Sequence, residues 1–134
     1  MSTATITFLE IEDTIAIHDA LIRRFSPTES AALRDAALLE SAVLAPQQTW
    51  DGNYLHGSLA AMAAAYLVGL VQNHAFENGN KRVSFAACSV FLRTNGYRLT
   101  LSQEEVVDLT FGVIDHRYDS EAAARILQED MEPL

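Results

Sequence analysis

The stretch from residue 58 to residue 73, SLAAMAAAYLVGLVQN, constrains the fold more than any other part of the chain. It contains no charged side chain, and its apolar residues cover nearly every side of a helix. A helix at the protein surface carries its apolar residues on one stripe only, whereas a helix that is apolar all round lies inside the fold. We therefore predict a central helix over residues 58–73, with the other helices packed around it.

Helical periodicity and end signals predict about five further helices. A first helix ends at Ser26-Pro27, and its inward side is expected to hold Ile11, Ile15, Ile17, Leu21, Ile22 and Phe25. A second helix ends before Pro46. A fourth helix begins near Asn80, and the residues expected to point inward from it are Val83, Ala86, Ala87, Val90 and Phe91.

The fifth helix is expected to open with a capping box at residues 102–105, and the sixth to open at Asp119. Residues 97–101 read as a short extended link, and residues 128–132 as a solvated end. Between Trp50 and Tyr54, the turn signal Asp51-Gly52-Asn53 predicts an exposed β-hairpin within residues 47–56. The expected fold is an all-α bundle of about six helices with one short β-hairpin flap, built as a single domain over residues 1–134.

The amino-acid composition argues against several classes of function. With 9 basic and 18 acidic residues the formal charge is −9, which disfavours direct binding to nucleic acid or to anionic lipid. The single cysteine, Cys88, lies on an apolar helix face and is expected to be a small buried thiol. No signal peptide or membrane-spanning segment is visible in the sequence, so a cytoplasmic location is expected.

The polar string HAFENGNKR, residues 74–82, directly follows the apolar stretch. The periodicity of the central helix, continued for one more step, puts His74 on the buried face. Gly79 allows a tight turn, and Asn80 is a good residue for the start of a helix, where free N–H groups and the helix dipole attract anions. Lys81 and Arg82 add a point charge and a planar fork that suit phosphate oxygens. The string therefore indicates a polyphosphate site beside a histidine that can accept a proton at neutral pH.

Taken without further context, the same residues are also compatible with a capped helix connection whose charges are solvated, and a lone histidine is more often a packed core residue than a catalyst. His18 and His56 are possible site residues, although the interpretation as packing or surface residues is favoured for both. Glu40 is interpreted as forming a structural hydrogen bond, and His116 as a charge at a helix end.

The string 74–82 resembles the signature of the Fic/Doc family, H-x-F-x-[D/E]-G-N-[G/K]-R, and matches it at every fixed position but one. Other stretches resemble the compact Doc (death on curing) branch of that family, notably FLEIEDTIAIHDALIRRF and NKRVSFAACSVFLRTNGYRLTLSQEEVVDL. The resemblance implies a Fic-fold toxin of a type II toxin-antitoxin system.

This resemblance also implies roles for individual residues. His74 would activate a hydroxyl group of a target protein, and Phe76 would anchor the loop. The nucleotide phosphates would be held by Asn78, Gly79, Asn80, Lys81 and Arg82. Residues 47–56 would form the flap that aligns the target, with Trp50, Asn53 and Tyr54 as candidate contacts; Trp50 and Tyr54 could equally fasten the flap to the core.

Two positions narrow the reaction class that the resemblance implies. Fic enzymes that transfer AMP commonly have Gly where this chain has Lys81, and a further Arg where it has Phe85. Both differences resemble the Doc branch, for which the implied reaction is transfer of the γ-phosphate of ATP to a protein Ser or Thr. The implied target is elongation factor Tu, whose phosphorylation would inhibit translation, and the implied partner is a Phd-like antitoxin. The alternatives are AMP transfer and a non-catalytic module that binds nucleotide or antitoxin.

The one departure from the signature is Asn78, where the family usually has Asp or Glu to bind Mg²⁺. A neutral amide oxygen is a weaker ligand for this cation than a carboxylate. Glu77 is a nearby substitute, and water and phosphate oxygens could supply the remaining ligands. The segment 100–105 lacks the pattern of the family's inhibitory helix, so restraint of the enzyme is expected to come from another chain.

Overall fold

In the computed structural model, residues 5–134 are described, and they form six α-helices. The first four residues, which belong to the N-terminal segment searched for a signal peptide, lie outside this range. The helices are α1 (Ile11–Phe25), α2 (Ala36–Leu44), α3 (Leu59–Asn73), α4 (Asn80–Thr94), α5 (Gln103–Ile114) and α6 (Ser120–Glu129). The predicted all-α fold is confirmed. Within the described range, no helix is both long and apolar enough to cross a bilayer.

Helix α3 is the centre of the fold, as its composition predicts. It packs against α2, α4, α5 and α6, and most of its side chains are fully buried. The approach of α2 is close: a Cβ added at Gly69 would lie 3.3 Å from the Cβ of Ala42. The hydroxyl of Tyr66 accepts the backbone N–H of Leu9 at 3.0 Å, and burial raises the Tyr66 pKa to about 12. The core is therefore organised along this one helix.

Side chains cap several of the helix starts. Ser58 caps α3 and Asp119 caps α6, each through a side-chain oxygen that accepts a backbone N–H of the first turn. Ser102 and Glu105 form the predicted capping box at α5. The pKa of Glu105 is held below its usual range by hydrogen bonds from Ser102. The bond from the Ser102 backbone N–H has the larger effect, and the bond from its hydroxyl the smaller one. After α4, Gly96 has φ +96°, as expected just past a helix C-terminus.

The predicted hairpin is also present. Strands β1 (Thr49–Trp50) and β2 (Asn53–Tyr54) pair in antiparallel register, with Thr49 opposite Tyr54. The turn residues Asp51 and Gly52 have φ of +52° and +80°, which suits a tight hairpin turn with right-handed strand twist. A short 3-10 turn, Ala45–Gln47, leads into it.

The expectation for the C-terminal end was wrong. The segment 97–101 is not merely a link, because β3 (Tyr97–Leu99) pairs with β4 (Met131–Pro133) in an antiparallel pair. An ion pair between Arg98 and Glu132, at 2.7 Å, lies across this pair. The residues interpreted as a solvated end therefore run into a strand that closes against the link after α4.

Three residues expected to point inward are exposed instead: Ile15 (40%), Phe25 (51%) and Val90 (38%). The buried stripe of α1 is formed by Thr14, His18 and Ile22, which are spaced four residues apart and share one helix face. The apolar residues of α1 predicted a wider buried face than this helix has in the structure. Because α1 packs mainly on α4, this narrow stripe faces the start of α4 and the loop before it.

Candidate functional site

The loop between α3 and α4 begins with a left-handed residue. His74 ends α3 with φ and ψ both near +49°, and its side chain is exposed. The expectation that His74 lies on the buried face was therefore wrong, since the helical period does not continue through a residue in this conformation. The guanidinium of Arg34 donates to the His74 carbonyl oxygen, with Nε 2.9 Å away and Nη2 also in contact.

The connection between α1 and α2 fastens the same loop from the other side. The carbonyl of Ala75 accepts the backbone N–H groups of Arg34 and Asp35, at 2.7 and 3.0 Å. A β-bridge joins Leu33 to Phe76, and Glu77 donates its N–H to the carbonyl of Ala32. The loop is consequently held by backbone pairing as well as by its own side chains.

Asn80 closes the loop from within. Its Oδ1 accepts the N–H of Phe76 at 3.1 Å, and its Nδ2 donates to the carbonyl of Phe76 at 2.9 Å. The same Nδ2 lies 3.5 Å from Nδ1 of His74, the outer limit of a hydrogen bond. Asn80 is only 7% exposed, and Phe76 is 2% exposed. The Asn80 amide is thus engaged in shaping the loop, which leaves its backbone N–H as the group available to a phosphate.

A histidine from α1 lies directly beneath the loop. The ring of His18 stacks on Phe76, with centroids 3.7 Å apart and planes inclined by 12°. Its Nε2 lies 2.6 Å from the carbonyl oxygen of Asn78. Sequence reasoning interpreted His18 as a packing or surface residue. Its partner is 60 positions away, so no local pattern could have revealed the contact.

The start of α4 offers an open row of N–H donors. Gly79 precedes the helix with φ +77°, and no side chain caps this end. Among residues 5–134, no hydrogen bond uses the N–H of Gly79, Asn80, Lys81 or Arg82. These donors border a cavity of about 420 Å³ whose lining residues are Ser26, Glu29, His74, Glu77, Asn78, Gly79, Asn80, Lys81 and Arg82. The site therefore joins free N–H groups, two cations and one imidazole around a single cavity.

Both cations rest on exposed aromatic rings next to this cavity. The Nζ of Lys81 lies 4.8 Å from the ring centroid of Phe111. The Cζ of Arg82 lies 4.7 Å from the centroid of Phe25, and its Nη1 donates to the hydroxyl of Ser26 at 3.0 Å. These contacts hold the two charges beside the cavity, and in the described part of the chain neither cation forms an ion pair with an acidic side chain.

A sequence model of the Fic/DOC family matches residues 8–92 of the chain, which include α1 to α4 and the whole loop. The chain belongs to the Fic/Doc family. It is 45% identical over 67 residues to Toxin Doc of Mycolicibacterium smegmatis, a match that covers 50% of this chain and 52% of that protein. It is 33% identical over 105 residues to Protein kinase doc of Escherichia phage P1, covering 75% of this chain and 77% of that one.

The position that departs from the Fic/Doc signature has a structural partner. Asn78 donates from Nδ2 to the carbonyl of Ser30 at 3.1 Å, so only its Oδ1 remains as a candidate ligand. Glu77 and Glu29 also line the cavity, and Glu29 was not anticipated from the sequence. Across residues 5–134, no group of three or more His, Cys, Asp or Glu side chains is arranged to hold a metal. A cation here would depend on oxygen ligands from the nucleotide and water.

The flap candidates lie outside the cavity. Trp50, Asn53 and Tyr54 are all exposed, Trp50 by 77%, and none of the three lines the cavity. Tyr54 contacts Phe8 with ring centroids 5.6 Å apart, which ties β2 to the N-terminal segment. Trp50 has no aromatic partner among the described residues. The hairpin of this Fic/Doc chain therefore presents Trp50 and Asn53 to solvent.

Proposed function

We propose that this chain is the cytoplasmic toxin of a toxin-antitoxin pair and that it transfers the γ-phosphate of ATP to a hydroxyl of a protein target, with elongation factor Tu as the expected target. One observation is the main support for this proposal. His74 lines a cavity that is also lined by the start of α4 with its free N–H groups, by the cations Lys81 and Arg82, and by the carboxylates Glu29 and Glu77. An anion-binding cavity with a proton acceptor at its edge suits phosphoryl transfer to a hydroxyl.

Binding of the phosphate chain would use the start of α4. The N–H groups of Gly79, Asn80 and Lys81 supply fixed dipoles, and the side chains of Lys81 and Arg82 supply charge. Glu29 and Glu77 would repel a bare polyphosphate at the same cavity. Together with phosphate and water oxygens, the carboxylates of Glu29 and Glu77 and the Oδ1 of Asn78 would supply ligands to Mg²⁺, which would neutralise charge on the phosphates.

The chemistry requires one proton acceptor. As the target hydroxyl oxygen forms its bond to the γ-phosphorus, the unprotonated ring nitrogen of His74 takes the hydroxyl proton. The bond between the γ-phosphorus and the β,γ-bridging oxygen breaks, and ADP leaves. Arg34 holds the His74 carbonyl and thereby keeps the residue at the cavity. Such positioning favours the reaction because the base is in place before the hydroxyl arrives.

Transfer of the γ-phosphate, in preference to AMP, is supported by Lys81 and Phe85. Phe85 is half-buried and faces an apolar groove of about 460 Å³ that lies beside the cavity, away from the phosphates. The cavity is therefore lined by two cationic side chains, Lys81 and Arg82, with no further arginine. The name of the phage P1 relative, Protein kinase doc, supports the same reaction class.

The toxin hypothesis includes a Phd-like antitoxin that restrains the enzyme in trans. It is supported by the name of the M. smegmatis relative and by the lack of an inhibitory-helix motif at residues 100–105. The direct check is whether the reading frame adjacent to this gene encodes a short antitoxin-like chain, followed by co-expression of that chain. We expect it to relieve the growth arrest that this chain causes alone.

Asn78 favours a second candidate function, a non-catalytic module that binds nucleotide or antitoxin, because the usual acidic metal ligand is replaced by an amide engaged with Ser30. ATP labelled at the α or the γ position separates the candidates. Label from the γ position on the target supports phosphorylation, label from the α position supports AMP transfer, and growth arrest without either label supports the binding module.

A further inference from the structure

The buried histidine of α1 controls the geometry of the loop that precedes α4. His18 is 1% exposed, and its Nε2 lies 2.6 Å from the carbonyl oxygen of Asn78. A carbonyl oxygen can only accept, so Nε2 carries the proton and donates. The same ring stacks on Phe76, which is itself buried. One side chain from α1 thus contacts the loop at two points.

The bond to Asn78 sets the direction of the next N–H group. The structure contains no cis peptide bond in its described range, so the peptide between Asn78 and Gly79 is trans. In a trans peptide the C=O and N–H bonds point in opposite directions. Because this carbonyl points inward to His18, the N–H of Gly79 points away from His18, and Gly79 lines the cavity.

The depth of the turn is set by the same contact. A Cβ added at Gly79 would lie 3.3 Å from His18 Nε2 and 3.0 Å from Cδ1 of Ile22. Gly79 therefore packs directly on the α1 stripe, and the turn has no room to sink further. The α1 face fixes both the tilt of the peptide and the position of the helix start.

We propose that His18 is a positioning residue for phosphate binding: its Nε2–H holds the Asn78 carbonyl and thereby aims the Gly79 N–H at the phosphate chain of a nucleoside triphosphate. This inference rests on the proposed function, because it assumes that phosphates occupy the cavity at residues 74–82. It assigns to α1 a part in the site that the signature itself does not contain. His18 is not among the residues that line the cavity.

Two substitutions of His18 separate the effect of its hydrogen bond from the effect of its ring stacking. His18→Phe keeps an aromatic ring to stack on Phe76 but removes the donor. His18→Gln restores an N–H donor the same number of bonds from Cβ but removes the ring. Thr14→Val is the matched control, since Thr14 lies one turn earlier on the same buried stripe and its hydroxyl donates to the carbonyl of Glu10, the N-cap residue of α1. It disturbs the α1 core without touching the loop.

Amide hydrogen exchange measures how firmly the loop is held in place, and the measurement needs no bound nucleotide. The Phe76 N–H is bonded inside the loop, whereas the Ala123 N–H lies in α6 and serves as an internal reference. In His18→Phe we expect exchange at Phe76 to accelerate about tenfold relative to Ala123. His18→Gln should recover most of the protection, and Thr14→Val should match the wild-type ratio. Equal Phe76 protection in His18→Phe and the wild type would overturn the proposal.

ATP binding supplies the second readout. We expect His18→Phe to raise KM for ATP about tenfold with little change in kcat, because the loop contacts phosphate in the ground state and in the transition state alike. A fall in kcat with KM unchanged would contradict the assigned role. Wild-type protein that fails to bind ATP would refute the proposed function instead, while the exchange ratio would still decide whether His18 holds the loop.

Discussion

The guanidinium of Arg34 donates to the backbone carbonyl of His74, 40 positions further along the chain, with Nε 2.9 Å from the oxygen. His74 is in the left-handed conformation, which costs a non-glycine residue roughly 1 kcal/mol or more and persists only where neighbours enforce it. Arg34 is the neighbour that holds the carbonyl in place. The backbone conformation of His74 is therefore held by a residue outside the signature string.

Removing the Arg34 fork should loosen the proposed base. We expect Arg34→Met to lower kcat for phosphate transfer by about tenfold, and Arg34→Lys to recover only part of it because an ammonium cannot reproduce the planar fork. The measurement is transfer rate at saturating ATP. Arg93→Met, an exposed position at the far end of α4, is the matched control. Unchanged kcat in Arg34→Met would show that Arg34 does not position the proposed base.

Alanine at Gly79 should be more costly than alanine at another glycine with positive φ. Gly79 (φ +77°) and Gly52 (φ +80°) share the backbone penalty of about 1 kcal/mol. An added Cβ at Gly52 meets nothing within 4 Å, whereas at Gly79 it meets Ile22 and His18. We expect Gly79→Ala to lose about 1 kcal/mol more unfolding free energy than Gly52→Ala in urea titration. Equal losses would mean that the turn at Gly79 is not tightly packed.

Restoring the carboxylate of the signature should strengthen metal use. Asn78→Asp places a charged oxygen ligand at the cavity, so half-maximal transfer should require several-fold less Mg²⁺. The substitution also removes the donor to Ser30, so a small loss of thermal stability is expected. Asn53→Asp adds the same charge on the exposed flap and should leave the Mg²⁺ dependence unchanged. An unaltered Mg²⁺ requirement in Asn78→Asp would show that this side chain does not reach the cation.

The single thiol should be inert in the folded protein. Cys88 is fully buried, and burial raises its pKa to about 12. A raised pKa keeps the thiol protonated, and the thiolate is the reactive form, so reactivity stays low up to strongly alkaline pH. Alkylation by iodoacetamide at pH 8 should be at least tenfold slower than in the urea-unfolded chain. Comparable rates would indicate that the α4 core opens readily.

Local sequence signals were sufficient for most elements of the fold. The all-round apolar composition of α3 and the capping box at Ser102 act within a few residues, so they could be recognised without tertiary information. The hairpin likewise follows from its turn residues. The buried thiol expected at Cys88 is confirmed, because an apolar helix face predicts burial directly.

The features that the sequence did not predict have a different physical origin. The pairing of β3 with β4 and the contacts of Arg34 and His18 join residues that are far apart in sequence, and no periodic pattern encodes them. The error at His74 came from extending the helical period through the residue that ends the helix. Left-handed φ at that residue redirects the side chain, which a period count cannot register.

Transfer from doubly labelled ATP distinguishes phosphorylation from AMP transfer in a single reaction. The protein is incubated with Mg²⁺, elongation factor Tu and ATP carrying distinguishable labels at the α and γ positions. His74→Asn, which tolerates the left-handed conformation, and His74→Ala are the matched inactive variants, each expected to lower transfer by a factor of about 10² to 10⁴. We predict that the wild type leaves γ-label alone on the target. Label from the α position without γ-label, or equal γ-transfer by the His74 variants, would contradict the account.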